Sequence, residues 1–127
     1  MIIIKTSGKT IGNVVRHAKH ALNGQPRLRR GDIILISQTK DSLPPNTKPI
    51  QYLMEYERCY YDKEKESQQI WGTFWPYIIE GRNCRPLKKS FEMSEVQVTA
   101  KDYGRGGPTV YIEEADIRAL KEKGLLG

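Results

Sequence analysis

The apolar positions in the first third of the chain predict a strand, a helix and a second strand. Residues 2–5 begin with three isoleucines, which is typical of a short buried strand. Thr10 is a good N-cap, and the apolar positions after it predict an amphipathic helix that Gly24 and Pro26 end. These positions keep the helical i, i+3, i+4, i+7 and i+11 spacing: Ile11, Val14, Val15, Ala18 and Leu22. The continuous apolar run at 33–36 predicts another buried strand.

The remaining segments predict further strands and a closing helix. Residues 50–62 are rich in aromatics and predict a long strand, whose imperfect alternation indicates a bulge. Residues 63–69 are charged and predict a loop, and residues 69–81 predict a strand with Trp75 and Tyr77 on one face. The last segments predict, in order, a return through Pro86, a short strand at 96–100, a Gly-rich turn at 104–107 and a helix at 113–124.

The order of these elements predicts the fold class. The strands follow one another without crossover helices, which disfavours a parallel sheet. We predict one domain over residues 1–127, of the α+β class, with a curved, mostly antiparallel sheet or a small β-barrel flanked by helices. No apolar run approaches the ~20 residues of a membrane span. The apolar N-terminus is also too short for a signal peptide.

Positive charge is concentrated at the N-terminal end. Lys and Arg outnumber Asp and Glu by 21 to 15, and residues 1–31 contain no carboxylate. A one-sided excess of this kind favours a polyanion-binding surface, with a basic solvated face as the alternative. The predicted phosphate contacts are Lys9, Arg16, Lys19, Arg27, Arg29 and Arg30.

The sequence offers no set of residues for catalysis, a cofactor or a metal. His17 and His20 have no carboxylate or thiol near them in sequence, and we expect both on the surface. Nucleophile-elbow, phosphate-loop and dinucleotide motifs are absent. Cys59 and Cys84 predict reduced thiols in a cytoplasmic protein, with a single disulfide as the alternative. We therefore expect a protein that is not an enzyme.

The aromatic residues of segment 69–81 carry the strongest functional signal. Trp71 and Trp75 lie four residues apart, beside Phe74 and Tyr77. A nucleobase gains about 1–3 kcal/mol by stacking on an aromatic face. The alternative is that these rings fill the core. Together with the basic N-terminal end, the two tryptophans favour nucleobase recognition.

The order of motifs resembles EVE and YTH domains of the PUA-like superfamily. The opening IIIKTSGKTIGNVVRHA looks like the first strand, polar loop and helix of YTH domains. GDIILISQTKD and IQYLMEYERCYYD are similar to two successive EVE strands, and IWGTFWPYIIEGRNCRPL resembles a later one. YIEEADIRAL lies where EVE domains place their last helix. The resemblance covers nearly the whole chain and implies a curved barrel flanked by helices.

The resemblance also implies a function. YTH domains hold 6-methyladenine in an aromatic cage, and EVE-like domains of some methyl-directed restriction enzymes flip a modified DNA base into a similar pocket. It therefore implies a partner nucleic acid, DNA or RNA, with a modified base. A general RNA-binding module, or a small-molecule sensor or interaction domain using the same cleft, are the alternatives.

The residues that match the two families imply where the base would lie. Lys5, Thr6 and Ser7 match a segment that lines the YTH pocket, and Ser37 matches the pocket floor. The resemblance makes the two tryptophans the candidate cage walls. YTH domains place a cage tryptophan just after the first helix, where this sequence has none. The resemblance therefore implies either a pocket of two walls or one assisted by a tyrosine. The implied pocket residues are Trp71, Trp75, Tyr77, Tyr52, Lys5, Thr6, Ser7 and Ser37.

Overall fold

The two isoleucine-rich runs form neighbouring strands inside one sheet. The structure is a computed structural model that describes residues 1–96 and 109–126. The strands are β1 (Ile2–Thr6), β2 (Lys19–Leu22), β3 (Ile33–Gln38), β4 (Ile50–Tyr61), β5 (Tyr77–Phe91) and β6 (Thr109–Tyr111). The helices are α1 (Ile11–His17), α2 (Glu66–Trp71) and α3 (Glu114–Glu122), with 3-10 turns at Lys40–Ser42 and Met93–Glu95. Because residues 2–4 of β1 and 34–36 of β3 are buried on both faces, these runs are continuously apolar rather than alternating.

The sheet is mixed and curled, with β2 and β6 at its edges. The strand order is β2-β5-β4-β3-β1-β6. β1 and β3 are parallel, and the other four pairings among the described residues are antiparallel. Three register shifts interrupt the pairing of β4 with β5, as expected of bulges in a strongly twisted strand. The predictions of an α+β fold with a curved, mostly antiparallel sheet, and of a bulge in β4, are confirmed.

The two faces of the sheet bury separate apolar clusters. Successive side chains of a strand point to opposite faces, so Ile3 joins one cluster and Ile2 and Ile4 join the other. The first cluster includes Leu35, Leu53, Phe91 and, from α3, Leu120. The second cluster includes Ile34, Ile36, Met54, Ile79, Leu22 and, from α1, Val14. Trp71 and Tyr111 pack against the second cluster, which therefore lies beneath the site described below.

The first helix is shorter than predicted, and a strand replaces its second half. α1 ends at His17, and Ala18 adopts the left-handed conformation with φ 53°. The carbonyl of Ala18 accepts a 2.7 Å hydrogen bond from the backbone N–H of Gly81 in β5. The chain then pairs with β5 along the whole of β2. The apolar spacing up to Leu22 fits a helix equally well, but the sheet edge provides these residues with both backbone partners and burial.

The segment that carries the tryptophans also differs from the prediction. A short helix, α2, replaces the end of the loop predicted over 63–69 and the start of the strand predicted over 69–81. α2 ends at Trp71, and β5 begins only at Tyr77. Trp75 therefore lies in a loop, and the prediction that it shares a strand face with Tyr77 is wrong.

The C-terminal half differs from the prediction at Pro86 and agrees with it at the last helix. β5 continues through Pro86, where a return was predicted, and Pro86 lies opposite Tyr52 of β4. The predicted last helix is confirmed as α3, which ends just before Gly124 at φ 68°. Residues 97–100 of the predicted short strand, and the predicted turn at 104–107, lie outside the described residues. In the part of the chain that the structure describes, no helix is long and apolar enough to cross a membrane.

Candidate functional site

A cavity of about 550 Å³ lies between the two edge strands of the curled sheet. We call it the edge cavity. Its lining residues are Lys5, Thr6, Ser7, Thr10, His20, Ala21, Leu22, Asn23, Gly24, Gln25, Pro26, Trp71, Thr73, Trp75, Thr109 and Tyr111. The segment after β2 reaches across to β6, because the backbone N–H of Arg27 donates to the hydroxyl of Tyr111 at 2.7 Å. The volume suits a small planar ligand, since ligand pockets measure about 300–1,000 Å³.

Both tryptophans are half-buried and line the edge cavity. Trp71 packs against the second core cluster, and its indole N–H is buried without a hydrogen-bond partner among the described residues. Trp75 belongs to neither core cluster. The structure therefore brings the two predicted walls to one cavity, and Trp71 also contributes to the core.

The backbone of Trp75 is held by a buried pair of polar side chains. Its N–H donates to the hydroxyl of Ser67 at 2.8 Å, and that hydroxyl donates to the carboxylate of Asp62 at 2.5 Å. Asp62 also accepts the backbone N–H groups of Glu66 and Ser67 at 2.8 and 2.9 Å, which satisfies the first turn of α2. Asp62 and Ser67 are 1% and 0% exposed. The loop that carries Trp75 is thus fixed by the end of β4 and by α2.

Three hydroxyl groups form a second wall of the edge cavity. The hydroxyl of Thr10 is hydrogen-bonded to the hydroxyl of Thr6, and lies 3.0 Å from that of Ser7. The backbone next to them is anchored to the 3-10 turn that follows β3, because the N–H of Gly8 donates to the hydroxyl of Ser42 at 3.0 Å. Hydroxyl groups donate and accept, so this wall can satisfy either kind of group on a ligand. The predicted pocket positions Lys5, Thr6 and Ser7 all line the cavity.

His20 lines the edge cavity, which corrects its predicted place on the surface. On β2 it shares a face with Leu22 of the second core cluster, whereas Lys19 faces two carboxylates on the other side. His20 is half-buried, and its imidazole makes no hydrogen bond with the described residues. Burial lowers its pKa from 6.5 to about 4, so the imidazole is neutral at neutral pH. His17 is exposed at the end of α1, so the two histidines lie on different elements.

We expect His20 to make the protein less stable as the pH falls. Its pKa is 6.5 in the unfolded chain and about 4 in the fold, so between these values the unfolded state binds more protons. The free energy of unfolding should therefore decline from about pH 7 towards pH 4, by up to about 3 kcal/mol. Urea unfolding across this range measures the slope. His20→Gln should make the free energy of unfolding less dependent on pH, and the control His17→Gln, at an exposed site, should not. An unchanged slope in His20→Gln would contradict the lowered pKa of His20.

Three predicted pocket residues are not among the described residues that line the cavity: Tyr77, Tyr52 and Ser37. The ring of Tyr77 packs edge-on against Tyr61, with centroids 5.9 Å apart. Tyr52 packs against the second core cluster from β4. Ser37 is buried on β3, one strand further from the cavity than its register partner Lys5. Neither tyrosine is therefore placed to support the indole walls.

Two of the six predicted phosphate contacts lie at the rim of the edge cavity. Lys9 is exposed between the lining residues Ser7 and Thr10. Arg27 is exposed next to lining residue Pro26, and its guanidinium carbon lies 5.1 Å from the ring centroid of Tyr111. Neither side chain forms an ion pair with a described residue. Arg16 on α1 and Arg29 in the loop before β3 are also exposed, without a contact that joins them to the cavity.

The other two predicted phosphate contacts are already paired with carboxylates. The ammonium group of Lys19 lies 2.8 Å from Glu66 and 3.4 Å from Glu80. Burial opposes its charge, but the hydrogen bond to Glu66 and the nearby Tyr60 raise the pKa of Lys19 overall. Arg30 lies 2.5 Å from Glu57. A phosphate would have to compete with these carboxylates, and we leave both cations out of the proposed contacts.

The described residues provide neither a metal site nor a disulfide. No group of three His, Cys, Asp or Glu side chains in the described ranges could hold a metal ion. Cys59 and Cys84 are free and half-buried. Burial raises the pKa of both thiols, which keeps them protonated at neutral pH.

Sequence reasoning missed several lining residues. The sequence predicts His20 on the surface, because its apolar spacing indicates a helix where the structure has β2. The sequence predicts Thr10 only as a helix cap and gives Tyr111 no role in the site. The only signal for Tyr111 was an isolated aromatic in a short strand, which pairing with β1 brings to the cavity.

The open, curled sheet with a cavity between its edges defines an α+β fold. Solved structures of ASCH from Zymomonas mobilis share it. The ASCH protein has a TM-score of 0.65 and 11% identity over 95% of this chain and 93% of its own. A tyrosine-to-phenylalanine variant of it has a TM-score of 0.65 and 11% identity over 95% of this chain and 96% of its own. A serine-to-alanine variant has a TM-score of 0.65 and 10% identity over 96% of this chain and 94% of its own. No family model and no curated protein matches the sequence. At this identity the likeness shows the fold alone.

Proposed function

We propose that this chain is a non-catalytic nucleic-acid-binding module that captures a single modified nucleobase in the edge cavity. The observation that carries the proposal is that Trp71 and Trp75 line one cavity together with the hydroxyl groups of Thr6 and Ser7. Indole faces stack on any base, and hydroxyl groups can hydrogen-bond its edge. We also propose a cytoplasmic location, in keeping with the free, protonated thiols.

The shape of the cavity supports a base that has left its stack. Stacking on two indoles offsets the cost of extruding a base from a duplex, which is a few kcal/mol. Apolar lining from Leu22, Pro26 and Tyr111 would add contact with a methyl group on the base. The resemblance to EVE and YTH domains supports the same specialisation within the PUA-like fold.

The rim supports a phosphate backbone beside the captured base. Lys9 and Arg27 are exposed and adjoin lining residues in the chain, so both could contact phosphates while the base lies between the tryptophans. Such contacts give affinity that falls with salt and carries little sequence information. The affinity should therefore divide into a salt-sensitive part from the rim and a salt-resistant part from the cavity.

An oligonucleotide panel tests the proposal. We expect single- and double-stranded DNA or RNA carrying a methylated base to bind at least about tenfold more tightly than the unmethylated strand, with a gap that persists at higher salt. Lys9→Ala with Arg27→Ala should reduce the slope of log affinity against log salt by about 1.4 to 1.8, since each phosphate contact contributes about 0.7 to 0.9.

The matched control for the rim is Lys88→Ala with Lys89→Ala. These residues carry the same two charges, are exposed, and lie on the part of β5 beyond its pairing with β2. Equal slopes for the two double variants would remove the rim from the proposal. Equal affinity for modified and unmodified strands would leave a general RNA- or DNA-binding module, and no binding at low salt would overturn the proposed function.

A further inference from the structure

His20 is a polar side chain of the edge cavity that the stacking and phosphate contacts leave unused. It lies on β2, one of the two strands that the cavity separates, while the hydroxyl wall of Thr6 and Ser7 belongs to the opposite side. A ligand held between the tryptophans would therefore have polar groups on two sides. The imidazole of His20 makes no hydrogen bond with the described residues and lines the cavity, so the ring is open to a ligand.

We propose that His20 is a specificity-determining residue of the edge cavity and hydrogen-bonds the edge of an uncharged nucleobase. This inference rests on the proposed function. A neutral imidazole carries one donor and one acceptor nitrogen, so it can recognise a base edge that offers a complementary group. Burying such a group without a partner is costly, which penalises a base that lacks the complementary atom.

The environment of His20 favours a neutral base over a phosphate in the interior of the cavity. The low pKa of about 4 leaves the ring without positive charge at neutral pH. The neighbouring cation on the same strand, Lys19, faces Glu66 and Glu80 on the other side. Lys5 also lines the cavity from β1, and it already has an interaction partner. Phosphates are thus expected at the rim, beside Lys9 and Arg27, and the heterocycle inside.

Base discrimination by three proteins tests this role: wild type, His20→Leu and His20→Gln. The probes are oligonucleotides that differ only in the captured base, including analogues that lack one edge atom. We expect the wild type to separate its preferred base from the others by about tenfold or more. His20→Leu should bring the affinities to within about threefold of one another, and His20→Gln, which keeps a donor and an acceptor, should restore part of the difference.

A direct measurement on the wild type keeps the test independent of folding in the variants. The side-chain nitrogen resonances of His20 should shift when the preferred oligonucleotide is added, and should not shift with inorganic phosphate. Unchanged discrimination in His20→Leu, or unmoved resonances in the bound wild type, would overturn the role of His20. If the wild type binds oligonucleotides and discriminates, those results leave the proposed function intact; if it binds none, both fall.

Discussion

Trp75→Ala is expected to lower affinity for the preferred oligonucleotide by about 5- to 150-fold while the protein stays folded. Loss of one stacking face costs about 1–3 kcal/mol per base, and 1.4 kcal/mol corresponds to tenfold in affinity. Trp75 is half-buried, lies in a loop and belongs to neither core cluster, so its truncation should cost little stability. Titration with a labelled oligonucleotide and urea unfolding of the same variant measure the two effects.

Two neighbouring aromatics serve as controls for this prediction. Phe74 is 42% exposed and lies between Thr73 and Trp75 without lining the cavity, so Phe74→Ala should leave affinity unchanged. Trp71→Ala should lower both affinity and stability, because Trp71 also packs against the second core cluster. If Trp75→Ala unfolds, or binds as well as Phe74→Ala, then the indole of Trp75 is not a wall of a binding slot.

The fold class was predictable because its strongest signals are local and redundant. The apolar runs at 2–4 and 33–36 favour burial on both faces, which places them inside a sheet. The aromatic, irregular stretch over 50–62 behaves as a bulged strand. Acids at the start and a lysine at the end of α3 agree with the helix dipole. These features depend little on partners distant in sequence.

The errors occurred where distant partners decide the local structure. The spacing from Ile11 to Leu22 is helical, but pairing with β5 converts its second half into β2. The charged segment 63–69 has no apolar periodicity, yet Asp62 caps its first turn and stabilises α2. A single sequence does not show which segment will occupy a sheet edge. That one error also placed His20 on the wrong side of the molecule.

The sequence predicted some of the residues that line the edge cavity and misplaced others, again because distant partners decide where a side chain lies. Trp71, Trp75 and the Lys5–Ser7 segment lie at or just beyond the ends of α2 and β1, where side chains reach a common opening. Tyr52 and Tyr77 lie within long strands, where the pleat and the neighbouring strands decide which face a ring occupies. The excess of positive charge can be counted from the sequence. The carboxylates that pair with Lys19 and Arg30 cannot be identified in this way, because they lie on other strands and on α2. They are Glu66, Glu80 and Glu57.

Asp62→Ala is expected to lower the free energy of unfolding by about 2–4 kcal/mol, because it leaves buried donors unsatisfied. The carboxylate accepts hydrogen bonds from two backbone N–H groups and from the hydroxyl of Ser67. Burial alone would raise the pKa of Asp62, but the hydrogen bonds from Ser67 and Glu66 hold it below its ordinary value of 3.8. Its contribution is therefore complete above about pH 5 and is lost as the pH falls through the lowered pKa.

The same substitution should also weaken base binding, because the hydroxyl that Asp62 orients holds the backbone of Trp75. Asp62→Asn keeps an acceptor for the backbone N–H groups and should lose less stability than Asp62→Ala. Asp41→Ala removes an exposed carboxylate from a 3-10 turn and controls for the change of charge. Urea unfolding of the three variants near neutral pH compares their free energies of unfolding. If Asp62→Ala is as stable as Asp41→Ala, the buried pair does not hold α2 and the tryptophan loop together.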